Sequence, residues 1–86
     1  MTNSQQTFEL QWELEVLEQI RTLPRELQRP VVHRCGELCD DPRPSGFEKL
    51  EASYRISFGS VRIWYWVDDA NLWVIIVRVA LDPAAS

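Results

Sequence analysis

Two runs with an apolar side chain at every second position, in the second half of the chain, constrain the fold more than any other feature. Between residues 54 and 58, and again between residues 61 and 67, every second side chain is apolar. A period of two is typical of β-strands that bury one face. Gly59-Ser60 separates the two runs and predicts a tight hairpin. The buried face of this hairpin is predicted to carry Tyr54, Ile56, Phe58, Val61, Ile63 and Tyr65.

A third run, residues 72–79, is almost entirely apolar and follows the turn sequence Asp68-Asp69-Ala70-Asn71. Such a run predicts a central strand that is covered on both faces. The three strands together predict a meander. By alternation, the hairpin face opposite the core carries Arg55, Ser57, Arg62, Trp64 and Trp66.

The first half of the chain begins with one short strand and then changes to a helical period. Phe8, Leu10 and Trp12 alternate with polar residues, which predicts a half-buried strand. The stripe expected to be buried on the first helix comprises Leu14, Val16, Leu17, Ile20 and Leu23. Pro24 is expected to end this helix.

A second helix follows Pro24, and its predicted buried face comprises Leu27, Val31, Cys35 and Leu38. Pro30 removes one helical hydrogen bond, and Gly36 lowers the helix propensity. The helix is therefore expected to be kinked or to begin late, near Gln28. The helices are adjacent in sequence, so they should form a hairpin on one face of the sheet.

The predicted fold class is α+β: an N-terminal strand and a two-helix hairpin packed on one face of an antiparallel sheet that the meander completes. The chain has 86 residues, enough for one domain, which is expected to span residues 7–82. Residues 1–6 are expected to form a disordered tail, and residues 83–86 a short C-terminal tail.

Charge and composition limit the functions to be considered. The net charge is −4 and the isoelectric point is about 4.8, so a nucleic-acid-binding surface would have to be local. No cofactor is expected. The cysteines Cys35 and Cys39, with His33, lack a further ligand cluster, so no metal site is expected. The chain shows no signal-peptide pattern and no apolar run long enough to cross a bilayer, which predicts a cytoplasmic protein with no membrane partner.

Several local patterns, in this order, resemble those of the RelE/ParE superfamily of toxins from bacterial toxin–antitoxin modules. Members typically have a helix ending in a proline-containing loop, then Lys-Leu, an aromatic-Arg-Ile strand, and a strand of the pattern Gly-aromatic-Arg-Ile-x-Tyr. The resemblance extends from about Phe8 to Val79. The matching segments are Leu38-Cys39-Asp40-Asp41-Pro42, Lys49-Leu50, Tyr54-Arg55-Ile56 and Gly59-Ser60-Val61-Arg62-Ile63-Trp64-Tyr65.

The resemblance implies a RelE-like fold, a cognate antitoxin as partner, and one of two activities. RelE-like members are metal-independent endonucleases that cut mRNA on the ribosome, whereas ParE-like members act on DNA gyrase. Arg62 matches the central arginine of the family and Arg55 a basic position on the preceding strand, which implies that both are catalytic. Arg78 is expected on the same surface, where it would bind nucleic acid together with Trp64, Trp66 and Ser57.

A non-enzymatic alternative stays open, in which the chain is a ParE-like or catalytically degenerate protein-binding module. Ser57 stands where the RNases often carry a second lysine, and Asp82 stands near the position of a basic residue that many members have after the last strand. Arg55 and Arg62 could then serve only to pair with acids. Exposed tryptophan beside arginine is also typical of protein-binding hot spots, and it leaves self-association open.

Overall fold

The computed structural model describes residues 7–82, in which two helices cover one face of a five-stranded sheet. The tails expected at residues 1–6 and 83–86 lie outside the described residues. In chain order the elements are β1 (Glu9–Trp12), α1 (Leu14–Arg21), α2 (Arg25–Glu37), β2 (Glu48–Lys49), β3 (Tyr54–Phe58), β4 (Val61–Asp68) and β5 (Trp73–Leu81). The predicted α+β class is confirmed.

The strand order is β1-β5-β4-β3-β2. The meander β3-β4-β5 is antiparallel, as predicted. The short strand β2, which the sequence did not predict, pairs antiparallel with β3, whereas β1 pairs parallel with β5, so the expectation of a wholly antiparallel sheet is wrong. The sheet is therefore mixed. β1 and β5 can run in the same direction because the helix hairpin returns the chain to the end of the sheet at which β1 begins. Gly59 adopts a positive φ of 60° in the predicted turn between β3 and β4, a conformation that glycine enters at little cost.

Helix α1 buries fewer of its apolar residues than its sequence predicts. Val16 and Ile20 are buried, and so is Leu23 just beyond the end of the helix, whereas Leu14 and Leu17 are 81% and 45% exposed. The prediction that Leu14 and Leu17 share the buried stripe is therefore wrong. A helix resting on a sheet contacts it along one narrow stripe, and positions 16, 20 and 23 already fill it.

Helix α2 begins at Arg25, directly after Pro24, and not near Gln28. Pro30 lies inside the helix but on its exposed side. Water can reach the carbonyl group that loses its hydrogen-bond donor there, so the helix tolerates the proline. The predicted buried face is confirmed for Val31, Cys35 and Leu38, and Leu27 packs against the core while half-buried.

The core lies between the helices and the inward face of the meander. Ile56, Val61, Ile63 and Tyr65 are buried there as predicted, and Tyr54 and Phe58 pack against them. Burying this apolar area is the main stabilising contribution to the fold. The alternation along β3 and β4 therefore fixes which side chains are left on the opposite face.

Strand β5 contains an irregularity that decides where Arg78 lies. Trp64 pairs with Arg78, but the next residue of β4, Tyr65, pairs with Ile76, so Val77 has no partner on β4. This β-bulge shifts the alternation by one residue. Ile76 and Val79 are both buried, and Arg78 is exposed. The prediction that the last strand is covered on both faces is wrong, since Trp73, on the face away from the helices, is 38% exposed.

Candidate functional site on the open sheet face

The sheet face away from the helices, here called the open face, carries a row of three side chains from three neighbouring strands. Arg55 on β3 pairs with Trp64 on β4, and Trp64 pairs with Arg78 on β5. The guanidinium carbon of Arg78 lies 4.6 Å from the Trp64 ring centroid, and that of Arg55 lies 5.7 Å from it. Both distances suit cation–π attraction, so Trp64 positions two cations.

Arg62 lies in the adjacent row, where its cross-strand neighbours are Ser57 on β3 and Ala80 on β5. Its guanidinium forms an ion pair with the Asp82 carboxylate. The backbone N–H of Asp82 donates a hydrogen bond of 2.8 Å to the carbonyl oxygen of Ser60. Since Ser60 belongs to the β3–β4 turn, this bond holds Asp82 beside the start of β4.

Arg55 has a carboxylate partner of its own. Its Nε donates a hydrogen bond of 2.7 Å to Oε1 of Glu48, the residue that faces it across β2 and β3. This hydrogen bond raises the pKa of Arg55 and lowers the pKa of Glu48. The pair is open to solvent, so it contributes little to stability, but it brings a negative charge to the edge of the site.

These residues surround an open cleft of about 310 Å³. Arg78, unlike Arg55 and Arg62, forms no ion pair within residues 7–82. Three guanidinium groups and two carboxylates, those of Glu48 and Asp82, leave one positive charge in excess around the cleft. The cleft is lined by Arg55, Arg62, Trp64, Arg78, Ala80, Leu81 and Asp82.

The structure thus brings together four of the six side chains predicted to form the site. Trp66 also lies on the open face and is 46% exposed, but it pairs with Ile75, further along the sheet, and does not line the cleft. Ser57 is exposed beside Arg62 and does not line the cleft either.

The chemistry available in the cleft is anion binding and ring stacking more than proton transfer. Its lining contains no histidine, lysine or tyrosine, and Asp82 is its one carboxylate. Both tyrosines of the meander point to the helix side: the Tyr65 hydroxyl donates to the Pro42 carbonyl oxygen at 2.7 Å, and the Tyr54 hydroxyl accepts from Arg43 at 3.4 Å. Guanidinium groups bind phosphate well but are poor bases.

The two cysteines and the histidine near the end of α2 lie in different surroundings. Cys35 is fully buried in the core, whereas His33 is exposed and lies 3.4 Å from Glu37. No three His, Cys, Asp or Glu side chains within residues 7–82 are grouped so that they could hold a metal ion. In the same part of the chain, neither helix is long and apolar enough to cross a membrane.

Sequence reasoning missed Glu48. No sequence signal identifies it, because the segment around Glu48 and Lys49 pairs with β3 over only two residues. So short a pairing leaves no visible period in the sequence. Once the pairing is known, Glu48 faces Arg55 directly and the ion pair follows.

Neither the protein-family models nor the curated proteins contain a significant match to this chain. Solved structures do resemble it. The RelBE2 toxin–antitoxin complex from Mycobacterium tuberculosis contains a chain that is 20% identical, with a TM-score of 0.82 over 93% of this chain and 97% of that chain. The archaeal RelE–RelB complex from Pyrococcus horikoshii gives 21% identity and a TM-score of 0.76 over 92% and 99%.

The isolated E. coli RelE toxin is also similar, at 19% identity and a TM-score of 0.72 over 86% of this chain and 83% of that chain. In each case the similarity covers at least 86% of this chain. The described chain therefore has the fold of the RelE toxins, which confirms the resemblance to the RelE/ParE superfamily at the level of the fold.

Proposed function

We propose that this protein is the toxin of a toxin–antitoxin module and that the open face of its sheet binds RNA, with RelE-like cleavage of mRNA on the ribosome as its activity. One observation supports this proposal above the others: Arg55, Arg62 and Arg78 converge around Trp64 in a single cleft, on a chain with the RelE toxin fold. Guanidinium groups beside an aromatic ring are suited to phosphates and nucleobases.

In the proposed reaction, the 2′-oxygen of a nucleotide attacks the adjacent phosphorus while the bond to the 5′-oxygen breaks, and the departing 5′-oxygen takes up a proton from water. Negative charge accumulates on the phosphate, and Arg62 and Arg55 would stabilise it. Asp82 is the group in the cleft lining that could accept the 2′-hydroxyl proton. The main contribution of this chain would be charge stabilisation and positioning of the RNA, with no metal ion required.

A cognate antitoxin is the proposed protein partner. One of the similar structures is a complex of RelE with RelB, and another is the RelBE2 toxin–antitoxin complex. An antitoxin segment that covers the open face would exclude RNA from the cleft, and it would also cover Trp66. If a small reading frame beside this gene encodes the antitoxin, its co-expression should relieve the growth arrest that the toxin causes.

The second candidate is a non-enzymatic protein-binding module, either an inhibitor of DNA gyrase or a toxin fold that has lost cleavage. A specific observation favours it: Arg55 and Arg62, the two arginines expected to act on phosphate, are each already paired with a carboxylate. Exposed Trp66 beyond the cleft is of the kind that anchors protein interfaces.

Induced expression in a bacterium separates the two candidates when protein synthesis and DNA synthesis are followed independently. The proposed function predicts rapid arrest of translation, with mRNA ends that map to ribosome-bound positions. The Arg62→Ala variant should abolish the arrest, whereas Arg29→Ala, which changes an exposed arginine on α2, should not. Arrest of DNA synthesis alone would contradict RNA cleavage and support the gyrase candidate. Arrest of neither would support a binding module.

A further inference from the structure

The three arginines of the cleft differ in what a phosphate would have to displace. Arg62 is held by Asp82 and Arg55 by Glu48. Arg78 instead stacks on Trp64 and forms no ion pair within the described part of the chain. Arg78 is also exposed to solvent, whereas the side chains of Arg62 and Asp82 are only 28% and 19% exposed. An incoming phosphate can therefore reach Arg78 without breaking an existing ion pair.

The pair of Arg62 with Asp82 is held in place by its surroundings. The N–H of Asp82 is tied to the Ser60 carbonyl, and the side chains of both partners are largely covered. A carboxylate and a phosphate present similar acceptor oxygens to a guanidinium fork, so both compete for the same donors. The position of Asp82 on Arg62 is thus one that an RNA phosphate would occupy.

From this asymmetry we propose that Arg78, supported by the Trp64 ring, makes the first phosphate contact of single-stranded RNA, and that Asp82 competes with RNA for Arg62. The inference rests on the proposed function in one respect, namely that RNA occupies the open face. It adds an order of engagement: the Arg78 contact forms directly, and the Arg62 contact forms when a phosphate displaces the Asp82 carboxylate.

A consequence is that Asp82 lowers the affinity of the free protein for RNA. Each phosphate contact releases counterions, so the number of contacts can be read from how steeply affinity falls with salt, with a slope of about 0.7 per contact for single strands. Removing the charge of Asp82 frees Arg62 for a contact of full strength. Removing the charge of Arg78 deletes a contact that the unmodified protein already makes.

The test is equilibrium binding of a fluorescein-labelled 15-nucleotide single-stranded RNA to the purified full chain, measured by anisotropy between 20 and 200 mM salt. Asp82→Asn should tighten binding by about three- to tenfold and steepen the salt slope by about 0.7. Arg78→Gln should weaken binding and reduce the slope by a similar amount. Asp69→Asn is the matched control, because it removes an ion-paired aspartate from the Arg43 pair outside the cleft.

A double-mutant comparison separates competition for Arg62 from a general change in charge. The gain from Asp82→Asn should disappear in the Arg62→Ala background, whereas a nonspecific charge effect would persist there. An equal gain in both backgrounds overturns the inference. So does a gain from Asp69→Asn as large as that from Asp82→Asn. Melting temperatures of all variants confirm that the folded state is being compared.

Failure of this inference and failure of the proposed function give different results. If neither the unmodified chain nor Asp82→Asn binds the RNA at 20 mM salt, the order of engagement is refuted, although ribosome-dependent cleavage in cells could still be observed. If Asp82→Asn binds the RNA as predicted but expression of the unmodified protein arrests neither translation nor growth, the binding site stands and the toxin activity is refuted.

Discussion

Replacing Tyr65 by phenylalanine should destabilise the fold while leaving the open face unchanged. The Tyr65 ring is fully buried and packs edge-on against Tyr54 at 5.6 Å between centroids. Its hydroxyl donates the 2.7 Å bond that ties the loop after α2 to β4 at Pro42. One such hydrogen bond contributes about 1 kcal/mol net, and the phenylalanine ring keeps the apolar contacts. The expected fall in melting temperature is about 4–8 °C for a domain of this size.

The same substitution has a characteristic pH dependence. Burial raises the pKa of Tyr65 to about 12, above its ordinary value of 10.0. The neutral hydroxyl is therefore the form that the folded state prefers, and the stability it provides is fully present below pH 10. That stability is lost as the pH rises from 10 to 12, because the unfolded chain ionises first. The difference in stability between the unmodified protein and Tyr65→Phe should shrink over this range.

Urea unfolding followed by circular dichroism at pH 7, and at steps between pH 9 and 12, measures both effects. Tyr54→Phe is the matched control, because it removes a hydroxyl from the other member of the same aromatic pair, where the contact with Arg43 is 3.4 Å long and exposed. Equal stability of Tyr65→Phe and the unmodified protein at pH 7 would refute the reasoning. If the stabilities of the unmodified protein and Tyr65→Phe changed in parallel above pH 10, the raised pKa of the buried Tyr65 hydroxyl would be refuted.

Three further outcomes are expected. Trp64→Ala should weaken RNA binding by about three- to tenfold in the anisotropy assay, because both flanking arginines lose a cation–π contact; unchanged affinity would show that the ring does not position them. Cys35 should resist iodoacetamide at pH 8 in the native protein and react in urea, since burial raises its pKa to about 12; fast native labelling, detected by mass spectrometry, would contradict the buried placement. Arg43→Gln should lower the free energy of unfolding by less than about 1 kcal/mol, because its ion pair with Asp69 is exposed; a much larger loss in urea unfolding would mean that this pair anchors the loop.

The part of the site that the sequence predicted is the part governed by strict alternation. Along β3 and β4 no residue interrupts the period of two, so the inward position of Ile63 and Tyr65 places Arg62 and Trp64 on the open face without further information. The same reasoning gives Arg55. Alternation along β3 and β4 therefore identifies three of the cleft residues, Arg55, Arg62 and Trp64, and the strands that carry them.

The remaining features depend on packing between segments that are distant in sequence. In β5 nearly every residue from 73 to 79 is apolar, so the sequence pattern could not show the bulge at Val77. Arg78 nonetheless lies on the open face, as expected from the sequence. Helical periodicity could not tell that Leu14 and Leu17 stay exposed, because α1 contacts the sheet along a stripe that is narrower than its apolar face. The Glu48 and Asp82 partners depend on pairings at strand ends, where no period exists.

The parallel pairing of β1 with β5 has a consequence for how the protein is made. β5 lies between β1 and β4, so the first strand to be synthesised has no neighbour in the sheet until the last one has left the ribosome. Contacts between segments so far apart in sequence form late and slowly in folding. Since β5 also supplies Arg78 and precedes Asp82, a nascent chain would lack both the finished core and the assembled cleft. Synthesis of the protein and its proposed action on RNA would therefore be separated in time by the topology of its sheet.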